Sequence, residues 1–164
     1  MTMLARTQPS MILARPGSLA GLMDLYEQNY IRLRQLIPDL NFSDEMISCA
    51  EGHIDLYLSI KERCKYTTMI SLTYRFKQPG GILFQPDLHL TIYHDAKVAE
   101  VQHRVIRRGG IIRKNKNRQH KWKMNRFLYK WLGFCLYQGH HFPSILPAKS
   151  CQNTNQISVK SNSS

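Results

Sequence analysis

No acidic residue follows Glu100 in this chain of 164 residues. Residues 1–100 carry ten Lys/Arg against eleven Asp/Glu, whereas residues 101–164 carry thirteen Lys/Arg and none. That absence excludes charge pairing within the last third, and it places all of the formal net charge of +12 there, the first hundred residues being slightly acidic. Such an asymmetry points to an anionic partner (nucleic acid, an acidic membrane surface or an acidic protein) or to a basic face that only meets solvent. Cysteine is sparse and unpatterned. Cys49, Cys64, Cys135 and Cys151 form no C-x-x-C pair, so recognised metal spacings are missing and a secreted disulfide framework would be denser. Four free thiols in a reducing cytoplasm are expected. Long apolar runs are lacking too. The run Phe127–Tyr137 contains Lys130 and is too short for a membrane span, and Pro9 and Arg15 interrupt any export signal in residues 1–17. Neither Gly80-Gly81 nor Gly109-Gly110 fits a phosphate-binding glycine loop, so both read as turns.

What is present is ordinary globular composition, 43% apolar and 21% charged, enough for one domain with a buried core. Residues 1–17 read as a disordered leader, 18–142 as the domain, and 143–164 as a disordered polar tail. Ser18 is placed to cap a helix. Leu19, Leu22, Met23, Tyr26, Tyr30, Leu33 and Ile37 then recur at helical spacing until Pro38. From Asp44 the period becomes two. Ile54, Leu56, Leu58 and Ile60 alternate with Asp55, Tyr57, Ser59 and Lys61, and Thr68, Ile70, Leu72, Tyr74 and Phe76 share a face. Gln78-Pro79-Gly80-Gly81 is a turn, Leu88–Ile92 another strand, and Val98–Ile106 a further one after His94-Asp95. A second helix across Arg118–Gln138 is expected to bury Met124, Phe127, Leu128, Trp131, Phe134 and Cys135. The expected class is α+β: two helices enclosing an antiparallel sheet of four to five strands drawn from residues 44–112, in two layers.

The densest chemical feature is the basic stretch from Arg104 to Lys130. Its candidate phosphate contacts are Arg107, Arg108, Arg113, Lys114, Lys116, Arg118, Lys121, Lys123 and Arg126, with Trp122 as the aromatic expected to be exposed. Cations neutralise phosphates, and exposed rings stack on unpaired bases, so RNA or another nucleic acid is the favoured partner. On the second helix Lys123, Arg126 and Lys130 share one flank. A different reading makes the protein a small-ligand binder or enzyme built on His94, Asp95 and Glu100, the Asp orienting the imidazole. The plainer role for His94-Asp95 is a turn between strands. A protein–protein adaptor with a basic docking face is a third reading. His89 and His103 would approach across a hairpin, but no recognised ligand spacing is met, so neither metal nor cofactor is expected. His140-His141 reads as an exposed pair after a helix end.

Four stretches carry a resemblance. They are Leu22-Met23-x-Leu25-Tyr26-Glu27-x-Asn29-Tyr30 running to Leu36-Ile37-Pro38; Tyr66-Thr67-Thr68; Tyr93-His94-Asp95-Ala96-x-Val98-Ala99-Glu100-Val101; and Asn125-x-Phe127-Leu128-x-x-Trp131-Leu132-x-x-Cys135-Leu136 with Gly139. Over residues 18–142, about three-quarters of the chain, the sequence resembles the YqiB-like family of small proteobacterial proteins, a domain of unknown function. The resemblance implies a cytoplasmic bacterial protein with a shared fold, supplies no activity, and draws attention to His94 and Asp95. Where that family tends to have an Asp-Glu-Lys run before the last helix, this chain has Gln119-His120-Lys121. Any chemistry resting on those acids is in doubt here.

Overall fold

Ser18 opens the first helix, α1 (Leu19–Leu36), its hydroxyl accepting from the Gly21 amide at 3.0 Å. The computed structural model describes residues 15–41, 45–102 and 117–143. Five strands follow, β1 (Glu45–Ser48), β2 (Leu56–Arg63), β3 (Thr67–Gln78), β4 (Gly81–Tyr93) and β5 (Val98–Val101), and then α2 (Arg118–Tyr137). Each strand pairs antiparallel with the next, so the sheet order is the chain order. The result is a five-stranded meander with a helix at each end of the chain, an α+β domain.

Alternation decides which sheet face is covered. Leu56, Leu58, Ile70, Leu72, Tyr74, Leu88, Leu90, Ile92 and Ala99 point to one side. There they form a single core with Leu33, Leu36 and Ile37 of the α1 end, Leu128, Trp131, Leu132 and Cys135 of α2, and Phe142. α1 packs against both α2 and β5. Meeting two neighbours turns its buried arc away from the expected one: Leu25 and Leu36 are buried, while Leu19 and Met23 are exposed. A smaller cluster of Leu22, Leu25, Tyr26 and Trp122 closes the N-terminal end of the helix pair. Gly21 is required there, because a Cβ would lie 2.7 Å from the Arg15 carbonyl oxygen and 3.3 Å from the Trp122 ring.

β4 begins at Gly81 rather than near Leu88. Pro86 hid this part of the strand from a period-two reading. It is tolerated because the β3–β4 register shifts between Thr73 and Arg75, where a ladder donor is not needed. Gln78 pairs with Gly81, closing a hairpin on Pro79-Gly80. β5 ends at Val101, and the continuation expected through Ile106 lies outside the described residues from position 103 onward. So do residues 1–14 of the expected leader 1–17 and residues 144–164 of the expected tail 143–164. One cysteine expectation fails: Cys49 is disulfide-bonded, whereas Cys64 and Cys135 are free. Spacing alone gave no sign of it, because the chain has no paired cysteine motif. No helix among the described residues is long and apolar enough to cross a membrane.

Candidate functional site

The basic candidates divide. Arg107, Arg108, Arg113, Lys114 and Lys116 lie outside the described residues; Arg118, Lys121, Lys123 and Arg126 are exposed on α2, as is Lys130. α2 starts at Asn117, whose side chain accepts from the Gln119 amide at 2.9 Å. Its inward face carries Trp122, Asn125, Leu128, Trp131, Leu132 and Cys135. Trp122, expected as an exposed ring, is only 9% exposed and packs on Leu22, Leu25 and Tyr26. The rings that do reach solvent are Phe127 at 46%, Phe134 at 52% and Tyr137, two of which were expected in the core. The inward stripe is rotated because buried Asn125, not Phe127, sets it.

Asn125 is held on three sides. Its Oδ1 accepts from the Val101 amide at the sheet edge (2.9 Å), its Nδ2 donates to the Lys121 carbonyl (2.8 Å), and its own carbonyl accepts from Asn29 Nδ2 (3.2 Å). Arg32 adds a second tie. Its guanidinium lies 3.6 Å from the Tyr129 ring centroid and donates to the Tyr129 carbonyl at 2.6 Å. It passes over Gly133, where a Cβ would meet Nη1 at 2.2 Å. These ties fix the rotation of α2, so Lys123, Phe127, Lys130, Phe134 and Tyr137, spaced four, three, four and three apart, point outward together. α2 holds five cations and no acid. Most of them sit near its N-terminus, where the helix dipole disfavours positive charge.

Within the His94–Asp95–Glu100 group, His94 and Glu100 bond to different partners. His94 Nε2 lies 2.7 Å from Thr68 Oγ1, and the His94 amide donates to the Tyr66 carbonyl at 2.8 Å, which secures the β4–β5 turn. Burial, reinforced by the Arg34 cation, pushes the His94 pKa down, outweighing the opposite pull of exposed Asp95. Glu100 instead accepts from the Tyr93 hydroxyl (3.0 Å) and Gln102 Nε2 (3.3 Å). Burial and this carboxylate raise the pKa of Tyr93. His140, expected at the surface, is 2% exposed, with Nδ1 3.1 Å from Ser48 Oγ. Phe142 explains this: its amide donates to the Leu36 carbonyl and its ring enters the core, drawing the chain after α2 inward.

The sheet face away from the helices was not singled out by the sequence. On it, Tyr57, Ser59 and Lys61 of β2, Ser71, Thr73 and Arg75 of β3, and Phe84, Asp87 and His89 of β4 line a depression of about 320 Å³. His89 sits 3.5 Å from Asp87, and Ser71 donates to Asp87 at 3.3 Å. The Asp87 carboxylate is thus approached by both the serine hydroxyl and the imidazole. The Arg75 guanidinium lies 3.8 Å from the Tyr57 ring centroid and 5.5 Å from that of Phe84, and pairs with Glu45. Among the described residues no group of three or more His, Cys, Asp or Glu could hold a metal ion. His103, the suggested companion of His89, is outside them.

Comparison with known proteins decides the family. The profile described as "Protein of unknown function (DUF1249)" matches residues 32–141, and a curated relative of Escherichia coli K12, "Uncharacterized protein YqiB", is 30% identical over 126 residues. The chain belongs to this family. The alignment covers 72% of this chain and 88% of the relative, and the same figures hold for relatives in Escherichia coli O6:H1 and O157:H7. No solved structure matches. The matched span holds both ends of the Asn125–Val101 tie and of the Thr68–His94 bond. Gln119, His120 and Lys121 make up most of the first turn of α2, on the same end as its cations.

Proposed function

We propose that this protein is a non-enzymatic binding module for an anionic polymer, most simply single-stranded RNA. The observation that supports it is the outward face of α2, where Lys123, Arg126 and Lys130 alternate with the exposed rings of Phe127, Phe134 and Tyr137. Cations spaced along a helix suit a phosphate backbone, and neighbouring rings offer stacking surfaces to unpaired bases. The location of the charge argues in the same direction. Cations crowded at a helix N-terminus cost helix stability, so folding gains nothing from them there. Arg107, Arg108, Arg113, Lys114 and Lys116 precede this helix in the chain and extend the same basic run.

The experiment is filter binding of a single-stranded RNA at several salt concentrations. Wild type should weaken steeply with salt. Replacing Lys123, Arg126 and Lys130 by Gln should lower affinity and reduce the log–log slope by about 2, at about 0.7 per lost contact. Phe127→Ala and Phe134→Ala should each cost about 1–3 kcal/mol of binding where the ring stacks on a base. Equal, salt-insensitive affinity for wild type and the triple variant would remove the proposal and leave the charge as a solvated face.

A further inference from the structure

The depression on the sheet face opposite the two helices has a simple physical origin. β3 is the central strand, and it presents Ser71 and Thr73 between longer neighbours: Tyr57 and Lys61 on β2, Asp87 and His89 on β4. Small hydroxyls flanked by long side chains leave a hollow. Ser71 and Thr73 are 7% and 6% exposed although neither described helix covers them, so they form its floor. The walls are chemically mixed. Lys61 brings an ammonium that no ion pair or hydrogen bond engages among the described residues. Arg75 is held in place by Tyr57, Phe84 and Glu45, and its Nε is a buried donor with no hydrogen-bond partner among them. Asp87 supplies a carboxylate already bonded to Ser71, and Phe84 an exposed ring at the rim.

We propose that this hollow binds a small organic phosphate with a hydroxylated body, of the sugar-phosphate class. The phosphate is recognised by the Lys61 ammonium and the Arg75 guanidinium, both strong donors to phosphate oxygens. Asp87 and the hydroxyls of Ser59, Ser71 and Thr73 serve the alcohol groups of the body, and Phe84 receives its apolar face. A cavity of about 320 Å³ is at the lower end of the range for small-molecule sites, which suits a ligand of that size. The site lies on the opposite face of the sheet from α2, so it is separate from the RNA surface proposed above.

Titration calorimetry with ribose 5-phosphate, inorganic phosphate and ribose tests it on the full chain. Ribose 5-phosphate should bind, with phosphate and ribose each weaker by at least about tenfold. Lys61→Ala should weaken it by about tenfold, and Ser71→Leu, which fills the floor, should abolish it. Thr73→Val serves as a second floor variant if Ser71→Leu fails to fold; it keeps the shape, removes the hydroxyl and should weaken binding. The Lys123, Arg126 and Lys130 triple Gln variant should bind ribose 5-phosphate as wild type does. Failure of ribose 5-phosphate to bind at millimolar concentration, or binding that survives the hollow variants and falls in the α2 triple variant, overturns the proposal. The second outcome would attribute binding to general positive charge, and neither outcome touches the RNA reading.

Discussion

His140 is a basic group enclosed by the core, beside Tyr74 and bonded to Ser48, and burial pushes its pKa below the ordinary 6.5. His94 is lowered in the same direction, also chiefly by burial. The folded chain therefore takes up protons at these rings less readily than the unfolded chain. Stability is complete above the unfolded pKa and falls as pH drops through 6.5 toward the folded values. Thermal melts between about pH 7.5 and about pH 5 should show a falling midpoint, and His140→Asn should flatten the profile. An identical slope in wild type and variant would show that His140 is not the titrating group. Trp122 is the other residue whose surroundings decide its role. Packed on Leu22, Leu25 and Tyr26, it should cost about 3–5 kcal/mol of fold stability as Trp122→Ala, read by denaturant unfolding. RNA affinity measured well below the melting temperature should be unchanged, the reverse of what a stacking ring would give.

At the scale of elements, α2 is built against its own electrostatics. Its first turn has no acid and its last turn no base, so neither end complements the dipole. What holds the helix is tertiary: Asn125 on the β5 amide, Arg32 on the Tyr129 carbonyl, and an apolar inner stripe. Charge reversal at its start separates stability from function. Arg118→Glu should stabilise the fold by about 0.3–1 kcal/mol at low salt through the dipole, while lowering affinity for RNA. A loss of both stability and affinity would mean that Arg118 has a structural role. The sheet shows the same division of labour. β3 and β4 are long because they pair with each other along nearly their whole length, and the shift near Pro86 lets the ladder continue past a residue with no amide proton.

Among the described residues the whole molecule presents two surfaces of different chemistry: the basic, ring-studded face of α2, and the hydroxyl-floored hollow of the sheet. Thiol accessibility reports on the global fold independently of either. Cys64 is exposed; Cys135 is buried, and burial pushes its thiol up to about 11. Alkylation of native, unreduced protein followed by mass spectrometry should modify Cys64, spare Cys135 until unfolding, and reach Cys49 only after reduction. Modification of Cys49 without reductant would mean that its disulfide does not form in solution.

Periodicity along the chain was sufficient for the class. Ser18 as a cap, the change from period 3.6 to period 2, and the Pro79-Gly80 turn are local signals, and local backbone preference enforces them. Charge asymmetry and the lack of a long apolar helix are likewise properties of composition. Rotation and depth are different, because they depend on what lies across the interface. Phe127 and Phe134 fit an apolar stripe as well as Leu128 does, and only the docking of Asn125 on Val101 turns them to solvent and Trp122 inward. His140 is polar by type and buried because Phe142 pulls it in. The hollow was invisible for the same reason. Its residues are spread over three strands, and register, a long-range property, is what brings Lys61, Ser71, Arg75 and Asp87 together.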